Sequence, residues 1–182
     1  MSKVILITGA CRSGKSSYAE KLLKEEDDVL YIATAKALDK EMEDRIEKHK
    51  SRRNGKWSTY EGFKKLDKVV EKSDKKYILL DCVTILVTNL MFDRYEDFDS
   101  ITMEEVDELS KNIKREVEKM ILEIRKKDKN IIIVTNEVGW GLVPEYKVSR
   151  IFRDIAGWIN QYIASMSDEV YLMACGLPLK LK

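Results

Sequence analysis

Two groups of residues in this sequence have the types and spacing to do chemistry. The first is GACRSGKS, Gly9 to Ser16, which fits G-x-x-x-x-G-K-[ST] with an apolar run before it and a helical pattern after it. In that setting Gly9 and Gly14 let the backbone N–H groups of Ala10, Cys11, Arg12 and Ser13 turn inward around phosphate oxygens. Lys15 can then reach the β and γ oxygens, and the Ser16 hydroxyl can ligate Mg²⁺. The helix that follows adds its positive N-terminal end. This pattern predicts a nucleoside triphosphate site.

The second group is RIEKHKSRR, residues 45 to 53, which holds the only histidine of the 182 residues. If 39–52 is a helix, Arg45, His49 and Arg53 fall on one stripe, because positions four apart align. Flanking positive charges disfavour protonation, so the imidazole stays neutral and nucleophilic, with guanidinium groups able to hold the oxygens of a phosphate it attacks. The same spacing also suits a solvent-facing histidine on a charged helix, and periodicity does not separate the two.

Carboxylates at strand ends complete the set. Asp81, closing YILLD, is placed as a second Mg²⁺ ligand or as the cap of the next helix. Asn136 and Glu137 follow IIIVT, where open α/β sheets bind ligands; Glu137 is either a metal or substrate contact or an idle loop carboxylate.

The elements that must position these residues alternate. Strands are predicted at Lys3–Thr8, Val29–Ala33, Tyr77–Asp81, Asn130–Thr135 and Glu169–Ala174. Helices are predicted at 15–26, 39–52, 61–73, 84–92, 103–127 and 147–166. Several of the strands are apolar on both faces, as parallel strands covered on each side should be. This argues for one domain over 1–182, an α/β open sheet, mostly parallel, with helices on both faces. Val106, Leu109, Ile113, Val117, Met120, Ile121 and Ile124 form the apolar stripe of the longest helix. In the last helix Val148, Ile151, Phe152, Ile155, Ile159, Tyr162, Ile163 and Met166 form another. Arg150, Arg153, Asp154, Gly157, Asn160 and Gln161 make its polar face, read as solvated or as a subunit or nucleotide surface. The acid-rich stretch 92–110 reads as a solvated connection and helix start.

Composition narrows the partners. Lys plus Arg number 33 against 32 Asp plus Glu, so a net charge of +1 offers no global attraction to nucleic acid or an anionic membrane. No apolar run approaches a membrane span, and the start of the chain reads as a strand rather than a signal peptide. Cys11, Cys82 and Cys175 are odd in number and widely spaced, which points to a reducing cytoplasm rather than a disulfide framework.

Taken together, GACRSGKSSYAE at 9–20, YIATA at 31–35, DKEMEDRIEKHKSRRNGKWSTYE at 39–61, LLDCVTILVTNL at 79–90, TNEVGWGLVPEYKVSRIFRDIAGWINQYIA at 135–164 and the ending GLPLKLK resemble one family. It is the bifunctional adenosylcobinamide kinase and adenosylcobinamide-phosphate guanylyltransferase family of cobalamin biosynthesis. The resemblance implies a P-loop NTPase-type, RecA-like fold, Mg²⁺ as cofactor and ATP and GTP as substrates. It also implies adenosylcobinamide and its phosphate as acceptors, and a homotrimer. Within H-x-x-x-R-x-x-x-W-x-T-x-E, formed by His49, Arg53, Trp57, Thr59 and Glu61, it makes His49 the residue that is guanylylated. Arg45, Arg53, Glu61 and Asp81 then join the phosphate loop in holding nucleotide, with Lys15 catalytic. The chain departs from the family pattern at Ala10, where glycine is usual, and at Asn54, where proline often follows the arginine. Two other readings stay open: a P-loop small-molecule kinase in which His49 is incidental, and a non-catalytic nucleotide switch.

Overall fold

A computed structural model describes residues 2–35, 40, 47 and 54–182. Arg45, His49 and Arg53, with nearly all of the helix expected over 39–52, lie outside the described residues. Twelve elements follow along the described chain: β1 (Val4–Gly9), α1 (Lys15–Leu22), β2 (Val29–Ala33), β3 (Ser58–Glu61), α2 (Leu66–Lys72), β4 (Tyr77–Asp81), α3 (Val83–Arg94), α4 (Met103–Lys126), β5 (Asn130–Val134), α5 (Lys147–Met166), β6 (Glu169–Ala174) and β7 (Leu177–Lys180).

The strands form one sheet in the order β3-β2-β4-β5-β1-β6-β7, parallel except for the β6–β7 hairpin. This is the open, mostly parallel sheet the alternation predicts. All five residues of β2 and the middle three of β4 are buried, as strands covered on both faces require. One face carries the larger core. There Leu6, Ile32, Ile78, Leu80 and Ile133 meet the apolar stripes of α4 and α5, with α2 and α3 beside them. The opposite face packs Ile7, Tyr31, Leu79, Ile132 and Met173 against Ala19 and Leu23 from α1 and its end, and against Trp57.

The long helix behaves as its periodicity dictates: its seven apolar stripe residues are all buried. A capping box starts it, with Glu105 N–H donating to the Thr102 hydroxyl at 3.2 Å and Thr102 N–H donating to the Glu105 carboxylate at 2.9 Å. The acid-rich stretch is therefore the connection and helix start expected of it.

Several boundaries differ from the sequence reading, most by a residue or two. Helix α1 stops at Leu22 rather than 26, and α3 runs from 83 to 94 rather than from 84 to 92. Residues 58–61 form strand β3, so the helix predicted from 61 starts only at Leu66. STYE is four residues long with no apolar alternation, and only its pairing with β2 makes it a strand. Strand β7, LPLK, was also not foreseen; its proline is admissible because β7 is the sheet edge.

Candidate active site

Register brings the chemistry to one end of the sheet. Glu61 is level with Ala33, Ala33 with Asp81, Asp81 with Val134 and Val134 with Ile7, so the C-terminal ends of β3, β2, β4, β5 and β1 open onto a common edge. This is where open α/β sheets bind ligands. The phosphate loop leaves β1 there. Gly9 has φ 149° and Gly14 φ 97°, conformations an L side chain rarely adopts. Space forbids a side chain as well. A Cβ on Gly9 would meet the Met173 carbonyl oxygen at 2.6 Å, and one on Gly14 would meet Gly176 Cα at 3.1 Å. Gly14 is the N-cap of α1, and the first turn of that helix carries no acidic residue to oppose an anion.

Lys15 is 6% exposed. Its ammonium donates to the Ala10 carbonyl at 2.6 Å and to Ser13 Oγ at 3.5 Å, both inside the loop. Burial pulls its pKa below the usual lysine value, while Cys82, Cys11 and Asp81 act in the opposite sense, which places the Asp81 carboxylate within electrostatic reach of the ammonium. An anion in the loop would supply the charge partner that burial denies Lys15.

Asp81 does not cap the next helix: the residue before α3 is Cys82, and no side chain caps it. Instead Asp81 Oδ2 accepts the Tyr31 hydroxyl at 2.7 Å, from a tyrosine 2% exposed. The adjoining peptide bond, Asp81–Cys82, is cis. Thr34, fully buried, holds this corner. Its hydroxyl donates to the Cys82 carbonyl at 2.8 Å and accepts the Cys82 N–H at 2.9 Å, and its N–H donates to the Asp81 carbonyl at 3.1 Å. Asn89 from α3 donates to the Thr34 carbonyl at 2.7 Å. Burial and the neighbouring Asp81 push the Cys82 thiol up to about 11, so it is protonated at neutral pH and is no nucleophile.

Polar contacts continue just past the end of β5. Asn136 donates to the Thr84 hydroxyl at 2.7 Å. Asn160 of α5, assigned from sequence to a polar face, is 8% exposed and belongs to the interior. It accepts the Thr135 hydroxyl at 2.8 Å and donates to the Asn136 carbonyl at 3.1 Å. Its solvated reading is thus corrected: the buried Thr135 hydroxyl and the part-buried Asn136 carbonyl are its partners. Glu137 is tied locally. Its N–H donates to the Gly9 carbonyl at 3.0 Å, and its carboxylate accepts the Gly139 N–H at 2.9 Å, beside the phosphate loop.

The family described as cobinamide kinase / cobinamide phosphate guanyltransferase matches residues 5–181. The bifunctional adenosylcobalamin biosynthesis protein CobU of Escherichia coli K12 is 41% identical over 181 residues, covering 98% of this chain and 99% of its own. CobU of Salmonella typhimurium LT2 is 41% identical over 186 residues, covering 98% and 99%. The bifunctional adenosylcobalamin biosynthesis protein CobP of Pseudomonas aeruginosa PAO1 is 37% identical over 181 residues, covering 97% and 96%. The chain belongs to the cobinamide kinase / cobinamide phosphate guanyltransferase family. Among solved structures, the KaiC-like protein PH0186 of Pyrococcus horikoshii OT3 aligns over 93% of this chain and 70% of its own, with 15% identity and a TM-score of 0.47.

Of the residues the family resemblance singles out, the phosphate loop, Asp81 and Glu61 all stand at the C-terminal edge of the sheet. Trp57 and Thr59 lead to Glu61 along β3, with the Trp57 indole donating to the Glu26 carbonyl at 2.8 Å. Tyr31, Thr34, Thr84 and Asn89 were not singled out from sequence. Their residue types are common and their partners lie up to 55 residues away. The signal in the sequence was that Tyr31 and Thr34 lie within YIATA, and Thr84 and Asn89 within LLDCVTILVTNL, two of the segments that carry the family resemblance.

Proposed function

We propose that this chain carries both activities its family is described by: phosphorylation of adenosylcobinamide by ATP or GTP, and transfer of GMP from GTP to adenosylcobinamide phosphate. The observation that carries the reading is a phosphate loop with a buried Lys15 at a sheet edge shared with Asp81 and Glu61, in a chain matched to the family from residue 5 to 181.

In the kinase step the acceptor hydroxyl oxygen attacks the γ-phosphorus and gives up its proton to solvent, the bond to the bridging oxygen breaks, and the nucleoside diphosphate leaves. Lys15 exchanges the Ala10 carbonyl for phosphate oxygens and offsets the charge that develops there; the loop's N–H groups hold the rest of the chain of phosphates. Ser16 and Asp81 would hold Mg²⁺. A hydroxyl and a carboxylate are the hard oxygen donors this ion takes, in company with substrate phosphates and water. Bound there, the ion would neutralise charge on the phosphate oxygens.

In the transferase step neutral His49 attacks the α-phosphorus of GTP, the bond to pyrophosphate breaks, and GMP is carried on the imidazole. Arg45 and Arg53 hold the α-phosphate oxygens. A phosphate oxygen of adenosylcobinamide phosphate then attacks the same phosphorus, the N–P bond breaks, and His49 is regenerated. Glu61 takes part in holding the nucleotide. The working protein is a cytoplasmic homotrimer on this reading.

The test is the intact mass of the protein after incubation with GTP and Mg²⁺, beside His49→Ala. A gain of one GMP in the wild type, labile in acid and missing from the variant, is the expected result. An unchanged mass with GTP demonstrably bound would leave a phosphate-loop kinase or switch in which His49 is idle.

A further inference from the structure

The ending GLPLKLK has no chemistry of its own, yet its first residue touches the phosphate loop. Strands β6 and β7 are joined by the two-residue turn Cys175–Gly176, with φ 51° and 80°, the positive values that two-residue hairpins of right-handed twist require. The Gly176 N–H is not a rung of the hairpin ladder, whose last pair is Ala174 with Leu177. It donates instead to the carbonyl of Ser13, at 3.0 Å.

That bond acts on the loop through the planarity of one peptide. In a trans peptide the C=O and the following N–H point in opposite directions. Holding the Ser13 carbonyl toward the hairpin therefore turns the Gly14 N–H away from the hairpin. Ser13 is 8% exposed, its N–H donates to the Ala10 carbonyl at 3.2 Å, and its hydroxyl and the same Ala10 carbonyl both accept from Lys15. One bond from the C-terminal hairpin thus fixes the residue on which the resting position of Lys15 depends. The end of β6 closes the same side: Met173, 2% exposed, lies against the positions a side chain would occupy on both Gly9 and Gly14.

We propose that the Gly176 amide is a positioning group for the phosphate loop, aiming the Gly14 N–H at the nucleotide's phosphates by anchoring the Ser13 carbonyl. The proposal rests on the reading of Gly9 to Ser16 as the nucleotide site. It gives the C-terminal hairpin a part in nucleotide binding, although no side chain of the hairpin need touch the nucleotide.

Cys175 makes a clean test possible. A synthetic peptide spanning Cys175 to Lys182, with an ester in place of the Cys175–Gly176 amide, can be ligated to residues 1–174 through the native cysteine, giving the full chain without that one N–H. GTP affinity and the melting midpoint of the unliganded protein are measured beside the all-amide chain made the same way. Affinity is expected to fall about tenfold, on top of the modest drop in midpoint that leaving the buried Ser13 carbonyl unpaired brings. Gly176→Val, which strains the positive φ, should weaken GTP at least as much, and Gly176→Asn, which tolerates it, should stay within about threefold of wild type. An ester chain that binds GTP like the all-amide chain would overturn the inference while leaving the nucleotide site intact. An all-amide chain that binds no GTP would overturn the reading of the loop itself.

Discussion

The phosphate loop and the polar seam beside it are built by opposite means. In the loop, backbone does the work: two glycines at positive φ, a carbonyl holding Lys15, and a hairpin N–H holding a second carbonyl. In the seam, which runs from Thr34 and Asp81 through Thr84 and Asn136 to Asn160, side chains do it, each satisfying a backbone or side-chain group from a distant segment. The first arrangement leaves donors facing a ligand. The second consumes its donors internally and stiffens the strand ends on which the ligand site stands.

If that contrast is sound, damage to the two regions should show in different measurements. The largest effect is expected from Lys15→Met. It removes the charge aimed at the phosphates and should lower phosphoryl transfer by about 10² to 10³, the scale for loss of one preorganised electrostatic group. Because burial already penalises this ammonium, the unliganded protein should melt no lower than wild type, as checked by calorimetry. Parallel losses of activity and stability would erase the distinction.

Asn160→Leu should do the reverse. It strands the Asn136 carbonyl and the Thr135 hydroxyl, at a cost of about 1–3 kcal/mol in unfolding free energy measured by urea denaturation. GTP affinity should hold within about threefold, since the loop's own bonds remain. A large loss of affinity would mean the seam shapes the site directly.

The smallest effect lies away from both regions. Glu169, at the start of β6, accepts from Lys3 and then from Tyr171, and these hold its carboxyl down to about 2 from an ordinary 4.5. Its charged form is the one favoured by folding, so its stabilisation is present above the unfolded value and is lost as pH falls through the folded one. Glu169→Gln should therefore be less stable than wild type at neutral pH and converge on it between pH 4.5 and about 2, with GTP binding at pH 7 unaffected. Melting curves across that range read it out.

Much of the site was legible because some of its requirements admit few residues. A loop that needs positive φ and close backbone approach at two positions, followed by a cation and a hydroxyl, leaves G-x-x-x-x-G-K-S as its trace. A strand buried on both faces leaves an unbroken apolar run, which is why Asp81 could be placed at a strand end before any coordinates. The seam left no such trace. Thr34, Asn89 and Asn160 are residue types that surfaces also use freely, and Asn160 was assigned to the wrong environment for that reason.

By itself, then, the sequence determined the alternation of strands and helices, the apolar faces of α4 and α5, the phosphate loop and the family to which its motifs belong, all of which rest on local pattern. Tertiary structure decided that STYE and LPLK are strands, since each is only four residues long and pairing with β2 and β6 is what makes them so. It also decided that Asn160 faces inward and that Gly176 reaches Ser13, across 163 residues of chain. Hydrogen bonds between segments so far apart are fixed by sheet order and register, which no window of neighbouring residues contains.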